Sequence, residues 1–114
     1  MKTIDDIDLT PGDRQAIEGA ASLMRERFPV VRVILFGSKA RGSSDLESDI
    51  DLLLLTSRPL DWRERDAITD VLFDVELQFD VVISTLVLPT EEWEQGPYLV
   101  LPIGDEIRRD GVQA

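Results

Sequence analysis

The chain of 114 residues contains neither cysteine nor histidine. Without cysteine there is no disulfide, no thiolate zinc site and no thiol nucleophile. Without histidine, Ser-His-Asp arrangements, histidine general bases and histidine metal ligands are excluded. Any metal chemistry must therefore run through carboxylates, hydroxyls and water. Positive charge is scarce as well: 12 Lys and Arg stand against 23 Asp and Glu, a formal net charge of −11. Proteins that grip nucleic acid through its phosphates need basic surface, so no direct nucleic-acid partner is expected. No apolar stretch is long enough to cross a bilayer and none opens the chain like a signal peptide, so no membrane association is expected and a cytoplasmic location is the default.

What remains is the composition of a soluble globular domain, 43% hydrophobic and 31% charged. That length has room for one domain over residues 1–114, with one modest core. Thr10-Pro11-Gly12-Asp13 reads as a helix start, with Thr as N-cap and Pro in the first turn. Ile17, Ala20, Ala21, Met24 and Phe28 continue it at helical spacing, and Pro29 stops it. Val30 to Phe36 is a β-branched and apolar run, hence a strand, interrupted by Arg32 at an edge or the surface. Asp61 caps a second helix, with Ile68, Val71, Leu72, Val75 and Phe79 on its buried stripe, which leaves Asp74 and Glu76 as surface charges. A further strand is expected over 81–88. A capped helical turn follows at Thr90, Trp93 and Tyr98 close the core, and a short helix ends near Arg109 with Gly111 as its cap.

The informative stretch lies between Gly37 and Leu55. Gly37-Ser38 follows the first strand, ten residues intervene, and Asp49-Ile50-Asp51 opens the apolar run Leu52 to Leu55. On a strand, residues two apart share a face, so Asp49 and Asp51 point one way and Ile50 and Leu52 the other. Two like charges on one face raise each other's proton affinity. Rigidly held oxygen ligands suit a hard cation such as Mg²⁺, shared with substrate phosphates. Gly37 allows close backbone approach to a phosphate, and Ser38 adds a hydroxyl and an N–H. Lys39 and Arg41 can bring positive charge to the same group, Arg41 foremost; the alternative is that they are merely solvated. Gly37, Gly42 and Ser43 mimic the glycine spacing of a P-loop, but its lysine is missing, so that motif is rejected. Ser43 to Ser48 reads as a polar loop.

Gly37-Ser38, ten residues and Asp49-x-Asp51 together resemble the signature of the DNA polymerase β-like nucleotidyltransferase superfamily, and the short chain resembles its minimal (MNT) branch. The resemblance implies an α/β (strictly α+β) fold: a small mixed sheet with helices packed on one face and the carboxylates on the other. It implies transfer of a nucleotidyl group from a nucleoside triphosphate such as ATP, with Asp49 and Asp51 holding two Mg²⁺ ions (Mn²⁺ as substitute) roughly 3.5–4 Å apart. Gly37, Ser38, Lys39 and Arg41 would bind the nucleotide. The superfamily's third carboxylate, on a strand beside the Asp-x-Asp strand, is matched by Asp80, which would complete one metal site and help deprotonate the acceptor, or else serve only to cap the turn before that strand. Larger relatives carry an acceptor-binding domain; none is expected here, so a partner would supply that surface. Minimal relatives pair with HEPN-type RNase toxins and adenylylate a toxin tyrosine, which implies a toxin partner in a hetero-oligomer and an antitoxin role. Two other functions stay open: neutralisation by binding alone, and modification of a small cationic molecule such as an aminoglycoside.

Overall fold

The computed structural model describes residues 1–43 and 48–114. Most of the polar loop expected over 43–48 thus lies outside the described residues. The elements run β1 (Lys2–Thr3), a 3-10 turn (Ile4–Asp6), α1 (Pro11–Arg27), β2 (Val30–Phe36), α2 (Ser38–Arg41), β3 (Ile50–Thr56), α3 (Trp62–Phe79), β4 (Ile83–Pro89), α4 (Thr90–Gln95), a second 3-10 turn (Pro97–Leu99), α5 (Pro102–Asp110) and β5 (Val112–Gln113). One mixed sheet has the order β1-β5-β2-β3-β4, with β3 antiparallel to β2 and parallel to β4.

The helix boundaries follow from their caps. Thr10 Oγ1 accepts from Asp13 N at 3.1 Å, and Pro11 sits in the first turn, where its missing N–H costs nothing. Asp61 accepts from Glu64 N at 2.9 Å while Glu64 Oε1 takes Asp61 N at 3.3 Å, a reciprocal capping box. Ala16, Ile17, Ala20, Ala21 and Met24 of α1 and Ile68, Leu72 and Val75 of α3 are buried in one cluster with Val33, Leu35, Ile50, Leu52 and Leu54. The two long helices thus share one face of the sheet, as expected.

The opposite face is not bare. Ile34, Leu53, Leu55 and Leu88 form a second cluster with Trp93 of α4 and Ile107 of α5, flanked by Phe36, Leu86 and Tyr98. Leu52 to Leu55 is a continuous apolar run because β3 is covered on both sides. Arg108 stacks on the Trp93 ring at 4.3 Å and donates to the Trp93 and Tyr98 carbonyls at 3.0 and 2.8 Å, which pins α5 to this face. Pro102 lies in the first turn of α5, and Gly104 is the close contact with the Tyr98 carbonyl that any Cβ would obstruct. At the next turn, Thr90 does not cap α4; its hydroxyl donates to the Thr56 carbonyl at 3.1 Å.

Two further sequence expectations change, and one strand pair is new. The third long strand begins at Ile83 rather than Val81, because Asp80 and Val81 finish α3. Glu76 is no free surface charge: its carboxylate accepts the Ile83 N–H at 3.0 Å and ties α3 to β4. The pair β1 and β5, two residues each, extends the sheet beyond β2 and was not anticipated. No helix among the described residues is long and apolar enough to cross a membrane.

Candidate active site

The site forms where β2 ends and β3 begins, side by side because the two strands are antiparallel. Phe36 stands opposite Asp51 in the register, so the next residue, Gly37, turns directly over the Asp51 carboxylate. Gly37 has φ 76° and ψ −159°, a left-handed conformation that suits glycine, and a Cβ there would collide with Asp51 Oδ2. The backbone turn and the carboxylate are thus packed as one unit. Ser38 opens the single-turn helix α2, closed by Gly42 at φ 73°.

Ile50 and Leu52 join the cluster under α1 and α3, whereas Leu53 and Leu55 lie on the other face. By the same alternation Asp51 faces the α5 side, and Asp49, just before β3, shares that direction. Asp51 is half-buried and Asp49 exposed. Burial pushes the Asp51 carboxyl above its ordinary value, and the neighbouring Asp49 charge pushes the same way; Arg41 opposes the shift and Glu106 adds to it. On β4, Ser84 is the register partner of Asp51, and its hydroxyl lies 3.5 Å from Asp49 Oδ2.

The two cations of α2 part company. Residues two apart on a helix are separated by about 200°. Lys39 is buried against α1, its ammonium 2.8 Å from Asp13 Oδ2. Its partner in this structure is therefore a carboxylate of the fold. Arg41 points the other way, half-exposed, and its Nη1 pairs with Glu106 of α5.

Asp80 sits apart from the strand on which it was expected. It is exposed, has φ 53° and ψ 53°, and caps α3 with its N–H on the Glu76 carbonyl. Among the described residues, no three acidic side chains are grouped closely enough to hold a metal ion. The structure therefore brings Asp49, Asp51, Gly37, Ser38 and Arg41 together, turns Lys39 to Asp13, and sets Asp80 at the α3 cap, two residues before Val82, whose carbonyl takes the Ile50 N–H at 2.8 Å. Two members were not read from the sequence. Ser84 is identifiable only once the β3–β4 register is known, and Glu106 only once α5 is seen to fold back over this face.

The donor set fits a hard divalent cation. Two carboxylates and a hydroxyl offer only oxygen, and Mg²⁺ is commonly held by one or two carboxylates plus waters and substrate phosphates. Asp49 and Asp51 are the residues that would hold it.

Comparison with known proteins identifies the family and the fold. The family model for the nucleotidyltransferase domain matches residues 17–101, which include Gly37, Ser38, Asp49, Asp51 and Asp80. The chain belongs to that family. It is 41% identical over 56 residues to MJ0141 of Methanocaldococcus jannaschii, a candidate protein adenylyltransferase by name, covering 49% of this chain and 57% of that one. The match thus spans little more than half of that relative's length. Among solved structures, it resembles a toxin–antitoxin complex with AMP-PNP (TM-score 0.58, 19% identity, 81% of this chain and 66% of that chain). It also resembles a tri-AMPylated Shewanella oneidensis HEPN toxin in complex with its MNT antitoxin (TM-score 0.57, 18% identity, 88% and 69%). At such identities the likeness establishes the fold.

Proposed function

We propose that the chain is a Mg²⁺-dependent nucleotidyltransferase that moves AMP from ATP to a tyrosine of a HEPN-type toxin and so acts as its antitoxin. The observation that carries this reading is the packing of the Gly37 turn on the Asp51 carboxylate, with Asp49 on the same face: a phosphate seat and a cation seat held as one piece. The acceptor oxygen would form a bond to the α-phosphorus as the bond to the β-phosphate oxygen breaks and pyrophosphate leaves. Gly37 and Ser38 would seat the leaving phosphates with N–H groups and a hydroxyl. Arg41 would lend them positive charge. Bound at Asp49 and Asp51, Mg²⁺ supplies charge neutralisation for the phosphates. Asp80 is the proposed recipient of the acceptor proton. Catalysis of this kind is mostly positioning and electrostatics.

A protein acceptor is supported by charge and by surface. The net charge of −11 suits a basic, RNA-cutting partner. Leu99, Val100, Leu101 and Ile103 are all exposed within five residues, and α5, which begins there, also carries Glu106 beside the site. Contiguous apolar surface of this kind marks interaction sites.

The experiment is to incubate chain and toxin with ATP and Mg²⁺ and to weigh the toxin by intact-mass spectrometry. An added adenylate is expected, lost with Asp49→Asn plus Asp51→Asn and strongly reduced with Asp80→Asn. The lack of a three-carboxylate cluster among the described residues favours a second reading, neutralisation by binding alone. A toxin silenced without a change of mass, equally well by the double variant, would establish that reading instead.

A further inference from the structure

Glu106 lies outside the family-matched residues and in no motif, yet it pairs with the one cation of α2 that faces the site. We propose that Glu106 competes with the nucleotide for Arg41, its carboxylate taking the guanidinium that a phosphate oxygen would otherwise take. The inference rests on the nucleotide reading above.

Three observations carry it. The ion pair joins α2 to α5 across the edge of the site, with both side chains 39% exposed and so open to an incoming ligand. Arg41 belongs to the single-turn helix that opens at Ser38 beside the Gly37–Asp51 contact, so the pair stands next to the proposed phosphate seat. The pair is also not needed to hold α5. Ile107 is fully buried in the second cluster, Arg108 is bonded to two carbonyls and stacked on Trp93, and Gly104 packs on Tyr98.

An ion pair this exposed contributes little to folding. Its effect on a polyphosphate is unfavourable in two ways. The ligand must first separate Arg41 from Glu106, and it must then approach a carboxylate of like charge. A phosphate can win the exchange because charge-assisted bonds from a guanidinium to phosphate are strong and often bidentate. When pyrophosphate leaves, Glu106 regains Arg41, which favours release. Glu106 thus acts through Arg41 as a positioning residue that lowers nucleotide affinity.

The test is calorimetric binding of AMP-PNP with Mg²⁺ to the wild-type chain, Glu106→Gln, Arg41→Ala and the double variant. Glu106→Gln keeps the shape and removes the charge, and Glu106→Ala serves as the second variant. Either is expected to bind about three- to fivefold more tightly, the range an exposed ion pair can supply. Most of that gain is expected to vanish in the Arg41→Ala background. A purely structural role would not tighten binding. Unchanged or weaker binding by both Glu106 variants overturns the proposal, as does a gain of equal size with and without Arg41. If the wild-type chain binds no AMP-PNP, the nucleotide reading falls and this inference with it; if it binds and Glu106 is neutral, only this inference falls.

Discussion

Asp51→Asn should make the ligand-free protein more stable while removing its proposed activity. The reasoning begins with the two carboxylates on one face of β3. Strand geometry sets residues two apart at roughly 6–7 Å. Two unit charges at that distance repel by about 0.6 kcal/mol in water, and by about twice that at half its dielectric constant. Burial of Asp51 adds in the same direction and the Arg41 charge subtracts. A net gain of roughly 0.5–1 kcal/mol follows for the variant, or roughly 2–5 °C in melting temperature at this chain length. Asparagine has the shape of aspartate, so the close approach of Gly37 is preserved.

The sign with pH is fixed by the direction of the shift. The folded Asp51 holds its proton more tightly than the unfolded one, so its contribution to stability is fully present below the ordinary aspartate value of 3.8 and is lost as pH rises through its higher value in the fold. The advantage of Asp51→Asn should therefore be complete near neutrality and vanish below pH 3.8, where the aspartate is protonated in both states. The assay is thermal unfolding by circular dichroism, with chelator present, at neutral and acid pH. A variant no more stable than wild type at neutral pH, or equally advantaged at acid pH, would refute the reasoning.

Gly37→Ala meets both a left-handed φ and the Asp51 carboxylate, so it should cost roughly 1–3 kcal/mol and displace the aspartate. Transfer activity should fall by about tenfold or more, and a variant of wild-type stability and activity would show that the turn tolerates a side chain. Lys39→Met leaves the Asp13 carboxylate without its cation and should lower unfolding free energy by roughly 2–3 kcal/mol in a urea titration, with AMP-PNP affinity little changed. Intact stability with lost affinity would return Lys39 to the phosphate.

Much of this was legible from local chemistry. Thr10, Pro11, Asp61 and the apolar stripes fixed α1 and α3 because caps and periodicity are properties of contiguous residues. The opposed faces of Asp49-Ile50-Asp51-Leu52 were legible for the same reason, since alternation on a strand needs no tertiary knowledge. What escaped depends on contacts distant in sequence. Two-residue strands such as β1 and β5 show no period, and their pairing is set by where Gly111 and Val112 are carried after α5. Lys39 and Arg41 look alike in a list of charges, and only Asp13 on one side and Glu106 on the other separate them. Asp80 reads as the start of a strand because Val81, Val82 and Ile83 follow it, whereas α3 runs on to Phe79 and needs a left-handed residue next.

The double cover of β3 makes its alignment an all-or-none matter. A slip of one position would turn Ile50 and Leu52 toward the α5 side and drive Asp49 and Asp51 under α1 and α3, where water is excluded. Neighbouring alignments are thus separated by the burial of two charges, and no gently misplaced version of the site exists between them. Damage to the apolar residues of this strand should therefore be read in how much protein survives, not in how fast each surviving molecule turns over: the chain carries its carboxylates correctly, or it does not fold at all.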